Sequence, residues 1–143
     1  MTDVYVDVGA ASVEGAAPAG GPPPVDPEAI RALHHLTEAG VGVFIVTAGG
    51  GMPAPEHREA AQGVVDAVPM PPQDQSWYLT SDIERCQGSS ARLRTVFIGG
   101  APPVGSIRRC DDVARDVQAA AMEILAAEAM PARSGLTIRR GST

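Results

Sequence analysis

Three polar residues in this chain each stand just beyond a short apolar run. They are Asp7 after Val4-Tyr5-Val6, Thr47 after Phe44-Ile45-Val46, and Asp82 after Trp77-Tyr78-Leu79-Thr80-Ser81. If those runs are parallel strands of one sheet, all three residues lie at carboxyl ends, where open α/β sheets take up ligands. An aspartate in that place either serves a reaction or caps the turn that begins there, and both readings of Asp7 stand. The Gly49-Gly50-Gly51 turn after Thr47 can present backbone N–H groups to a nucleotide or another anion. It lacks the Gly-Lys-Ser/Thr ending of a P-loop and follows the second strand.

Other chemistry-bearing residues are less organised. His34, His35 and His57 have no cysteine or acid at metal-ligand spacing and read as solvated or partly buried helix residues. Cys86 and Cys110 read as isolated, buried thiols, and Trp77 and Tyr78 as core packing on a strand.

The elements that must position these residues follow from local patterns. Residues 3–8 are β-branched and aromatic and end at glycine, as a buried strand does. Residues 9–24 are mostly Ala, Gly and Pro and form a loop. Asp26-Pro27-Glu28 supplies an N-cap, a first helical residue and an acid in the first turn. With Gly40 as C-cap, this predicts a helix over 27–39 carrying Ile30, Leu33 and Leu36 on one side. Residues 41–46 are apolar on both faces, the mark of an interior parallel strand. A second helix is expected over 55–68, ended by Pro69 and Pro71-Pro72. Strands are expected over 76–80 and 95–98, with a short helix around Ser90 between them. Asp111 or Asp112 is expected to cap a last helix through Ala129, with Val113, Val117, Ala121, Ile124 and Leu125 at helical spacing.

Such alternation implies right-handed βαβ units. The expected architecture is a single α/β domain over residues 1–130: an open, mostly parallel, Rossmann-like sheet in three layers with helices on both faces, followed by a tail over 131–143.

A length of 143 residues suits one domain with its own core. With 44% hydrophobic but only 3% aromatic residues, that core is built from Val, Ala, Leu and Ile. The net charge of -6 and the absence of lysine leave no basic track for nucleic acid. Two cysteines are too few for a disulfide framework, and the first residues carry no basic or apolar leader, so a reducing cytoplasm is expected. No apolar run reaches the roughly 20 residues that cross a bilayer.

The order Val-Tyr-Val-Asp7, Phe-Ile-Val-Thr47, Trp-Tyr-Leu-Thr-Ser-Asp82 and Leu93-Arg-Thr-Val-Phe-Ile-Gly-Gly100 resembles that of haloacid-dehalogenase-like hydrolases without a cap domain. The likeness runs from about residue 3 to residue 129. It implies that Asp7 attacks a phosphoryl or alkyl centre to form a covalent aspartyl intermediate, that Thr47 hydrogen-bonds the phosphate or substrate, and that Asp7 and Asp82 hold Mg2+. Gly9 stands where phosphatases of the family have an acid–base aspartate. The usual lysine is missing, with Arg58 or Arg85 as its substitute. Cys86 occupies the place of a second metal carboxylate, leaving Glu84 as the nearest other acid. Two functions follow. One is a degenerate hydrolase acting weakly on a small phosphorylated or anionic substrate. The other is a non-catalytic binding or assembly protein whose partner is a small anion, another protein, or a second copy docked through the last helix.

Overall fold

The computed structural model describes residues 2–13, 24–47, 52–70, 72, 74–86, 92–99 and 110–129. In chain order these form β1 (Asp3–Asp7), α1 (Pro27–Glu38), β2 (Gly42–Val46), α2 (Pro55–Glu59), β3 (Gly63–Val65), β4 (Ser76–Thr80), β5 (Leu93–Ile98), β6 (Asp112–Ala114) and α3 (Val117–Ala129). Two 3-10 turns, Val8–Ala11 and Ile83–Arg85, follow β1 and β4. The strands make one sheet in the order β3-β2-β1-β4-β5-β6, and every neighbouring pair is parallel. The chain steps outward from β1 through β2 to β3, then crosses back to β4 on the other side of β1. The strand order therefore reverses between β1 and β4, which makes the crevice at their carboxyl ends the ligand position of such a sheet.

Strand alternation divides the core in two. Val4 and Val6 of β1, Val43 and Ile45 of β2, Leu79 of β4 and Val96 of β5 face Leu33 and Leu36 of α1 and Ala120, Ala121 and Ile124 of α3. The small alanines let α1 and α3 lie close together over the sheet. On the other face Tyr5, Val46, Tyr78 and Leu93 form a second cluster with Phe44, Val65 and Val68, in which the Tyr5 and Phe44 rings stack at 5.3 Å. Asp7 and Thr80, each two residues beyond a tyrosine of that cluster, point to the same side.

The α1 helix starts as expected. The Asp26 side chain accepts from the Glu28 N–H at 3.1 Å and Pro27 opens the first turn. Gly40 leaves the helix at φ 90°, a conformation only glycine adopts without strain. At Gly42 a Cβ would lie 2.5 Å from Asp3 Oδ1 on the paired strand, so any larger residue there makes the Asp3 side chain turn aside.

Three expectations are corrected. The second helix does not run over 55–68; it spans only Pro55–Glu59, and the chain then forms β3, with Ile45 opposite Val64 and Val46 opposite Val65. The helix ends at its C-cap Ala60, Gly63 beyond it is a poor helix former, and two β-branched valines gain more from an open sheet edge than from helical turns. Second, Asp111 and Asp112 do not cap the last helix. Asp112 opens β6, Asp111 Oδ2 accepts from the Thr95 N–H at 2.7 Å, and Asp116 caps α3 through the Ala119 N–H at 2.8 Å. Third, the segment after β1 is not all loop: Val8–Ala11 forms a 3-10 turn in which Ala10 and Ala11 are buried. The helix expected near Ser90, the Gly49–Gly51 turn and the tail over 131–143 lie outside the described residues.

Candidate functional site

Asp7 ends β1 as a buried residue, 5% exposed. Both carboxylate oxygens are engaged. Oδ1 accepts from the Tyr78 hydroxyl at 2.8 Å and Oδ2 from the Thr80 hydroxyl at 2.7 Å. Arg85, the last residue of the turn after β4, brings its Nε to 3.5 Å from Asp7 Oδ2 while donating to the Tyr78 oxygen at 2.9 Å. Thr80 Oγ1 in turn accepts from the Asp82 N–H at 3.1 Å. The result is a closed polar cluster across the two central strands: one carboxylate, two hydroxyls and a guanidinium, each satisfying another.

Burial, the strongest influence, raises the Asp7 pKa above its ordinary 3.8, and the neighbouring Asp82 charge adds to the rise. The hydrogen bonds from Thr80 and Tyr78 and the charge of Arg85 pull the other way by favouring the anion. The Tyr78 phenol is pushed up to about 12, chiefly by burial, with the Asp7 carboxylate also opposing its ionisation.

The other expected site residues stand apart from this cluster. The Thr47 hydroxyl is directed to the Val65 carbonyl of β3 at 3.4 Å, on the side of β2 away from β1. Arg58 is exposed on α2; of the two arginines considered as substitutes for lysine, Arg85 is the one that meets Asp7. The exposed Asp82 spends Oδ1 on the Glu84 N–H at 3.0 Å, capping the turn Ile83–Arg85. At Gly9 an added Cβ would meet only Ser81 Oγ, at an ordinary 3.5 Å, so the pocket has room for the missing acid.

Cys86, directly after Arg85, is not a free thiol. It is bonded to Cys110, with Cα atoms 5.1 Å apart, and this overturns the expectation of two isolated cysteines. His57 was expected to be solvated or partly buried and is fully buried. Its Nδ1 accepts from the Ala54 N–H at 2.9 Å, which leaves Nε2 as the donor to the Ala11 carbonyl at 3.2 Å. It is a structural tie between α2 and the turn after β1.

Two clefts of about 260 Å³ each flank the cluster. One is lined by Val46, Val68, Tyr78, Glu84, Arg85 and Cys86, the other by Gly9, Ser12, Ser81, Gly99, Arg115 and Asp116 among others. Among the described residues no group of three or more His, Cys, Asp or Glu side chains could hold a metal ion, and no helix is long and apolar enough to cross a membrane.

No family model matches the chain, and no curated protein matches its sequence. Its structure is similar to that of the D,D-heptose 1.7-bisphosphate phosphatase from B. bronchiseptica, solved in complex with magnesium and phosphate. The TM-score is 0.50 at 13% identity, over 88% of this chain and 99% of that one. At that identity the likeness is one of fold, a Rossmann-like α/β sheet, and the phosphatase chemistry belongs to the neighbour.

Proposed function

We propose that this chain is a non-catalytic protein on a haloacid-dehalogenase-like fold, binding a partner rather than turning over a substrate. The observation that carries this is the saturation of Asp7. A nucleophilic carboxylate needs one oxygen directed at the reacting centre, whereas here both oxygens accept hydroxyl protons and a guanidinium sits against one of them. The residues also do not fit magnesium. A hard cation takes several oxygen ligands, but Asp7 already faces the Arg85 charge, Asp82 is committed to capping the turn after β4, and residue 9 is glycine. Fold alone never fixes function, and the parts that would carry phosphoryl transfer are here engaged in holding the sheet together.

The partner this reading favours is a small anion in the cleft beside Arg85, whose side chain remains 29% exposed while its Nε is held by Tyr78 and Asp7. The paired cysteines favour an oxidising compartment over the cytoplasm. The deciding experiment measures Mg2+-dependent phosphate release from a panel of small phosphate esters with the natural chain, Asp7→Asn and Gly9→Asp. The expected result is no turnover in any of the three, with thermal stabilisation of the natural chain by inorganic phosphate or a monoester. Turnover by the natural chain that vanishes in Asp7→Asn overturns the proposal and establishes an aspartate-nucleophile hydrolase.

A further inference from the structure

We propose that the Cys86–Cys110 disulfide is a redox-responsive latch holding Arg85 against Asp7 and Tyr78, and that a dithiol reductant releases it. Arg85 reaches the central strands from a turn of three residues. Within that turn the Arg85 N–H donates to Asp82 O at 2.9 Å, the Cys86 N–H to Ile83 O at 3.2 Å, the Asp82 side chain caps its start, and Glu84 is engaged as well. The covalent bond from Cys86, the next residue, is the strongest constraint on where Arg85 sits.

The far end of that bond is well anchored. Cys110 leads into β6, where the Asp111 N–H donates to Thr95 O at 2.9 Å and Asp112 pairs with Arg94 of β5 at 2.7 Å. The bond therefore fastens a turn of only three residues to a hydrogen-bonded strand pair, spanning 24 positions of sequence. Cys86 is 1% exposed and lines the same cleft as Arg85 and Tyr78, whereas Cys110 is partly exposed.

That difference in exposure sets the order of the chemistry. A thiolate of the dithiol attacks Sγ of Cys110, the S–S bond breaks, and Cys86 leaves as a thiolate that takes up a proton. The second thiol of the reductant then displaces Cys110. Two protein thiols and one oxidised, cyclic reductant result, with two electrons and two protons transferred. Once Cys86 is free, Arg85 loses its covalent tether and relies on its hydrogen bond to Tyr78 and its ion pair with Asp7. Asp7 loses its fixed counter-cation, and the cleft loses a wall. The inference does not depend on whether the site is catalytic.

The test is a two-by-two set on the full chain: the natural protein and Arg85→Met, each oxidised and after treatment with dithiothreitol, with thiols counted by alkylation and mass spectrometry. Thermal midpoints are measured in all four. Reduction is expected to lower the natural protein's Tm by about 5 °C or more. Arg85→Met is expected to lower Tm in the oxidised chain and to cost less than half as much in the reduced one, because Arg85 is then no longer held. The Cys86→Ser/Cys110→Ser double variant should reproduce the reduced values. Additive losses, an unchanged Tm on reduction, two free thiols in the air-oxidised protein, or loss of the whole fold at 25 °C on reduction would each overturn the proposal. The last would make the disulfide a staple of the sheet rather than a latch on Arg85.

Discussion

Asp7 is a carboxylate that the fold both needs and penalises. Tyr78, Thr80 and Arg85 favour its anion, yet burial dominates and its pKa is raised above 3.8. A carboxyl with a raised folded-state pKa binds its proton more tightly in the native chain than in the unfolded one. Its contribution to stability is therefore complete below about pH 4 and is lost as pH rises through the raised value. Asparagine carries no such penalty. Measured by urea denaturation, the stability of Asp7→Asn relative to the natural chain should rise between about pH 4 and pH 7; a difference that is flat with pH would show that Asp7 titrates as it does in the unfolded chain. At this scale the sequence was partly legible. Asp7 and Arg85 were recognisable as a candidate acid and cation, but Tyr78 and Thr80 were read as strand residues alone. The signal for them was the two-residue period of β4, which puts positions 78 and 80 on the face that Tyr5 and Asp7 share, and it becomes readable only when β4 is known to lie beside β1. Thr47 and Asp82 occupy strand ends as expected, yet their side chains turn to backbone groups, a choice that strand-end position does not determine.

Among the elements, those with strong local signals were readable and those of three residues were not. The helix α1 announces itself with Asp26, Pro27 and Gly40. The strands β3 and β6 are each three residues long, too short for a pattern of their own, and both were absorbed into neighbouring helices whose periodicity they happen to continue. Their pairing is a tertiary effect, since β2 and β5 offer open edges that Val64-Val65 and Asp112-Val113-Ala114 complete. The β5 strand carries one unfavourable feature. Thr95 is fully buried, and among the described residues its Oγ1 finds no hydrogen-bond partner. Replacing a buried, unsatisfied hydroxyl by an isosteric methyl removes a desolvation cost, so Thr95→Val should leave stability unchanged or raise it by about 1 kcal/mol in denaturant titration. A loss of similar size would reveal a partner for that hydroxyl.

Across the whole molecule, the composition foretold what holds it together. With few aromatics, the larger core depends on close contact of Val, Leu, Ile and Ala between the sheet and the α1–α3 pair, and Ile124 of α3 is completely buried there. Ile124→Ala removes three carbons from a packed interior and should cost about 2–5 kcal/mol, read from the denaturation midpoint at unchanged slope. A much smaller loss would mean that α3 can slide inward to fill the space. The parallel α/β architecture was readable from the alternation of apolar runs and helices. The cysteine bond was not, because Cys86 and Cys110 come together only when β5 and β6 pair.

The shortness of β3 and β6 also affects how this molecule meets others. Among the described residues they are the two rims of the sheet, and each offers the outer hydrogen-bonding groups of three residues, with Asp112 placing a charge on one of them. A foreign strand seeking to extend the sheet would find few rungs on either side before the chain turns away. An otherwise continuous parallel sheet with a glycine- and valine-rich rim is in this way kept from templating its own aggregation.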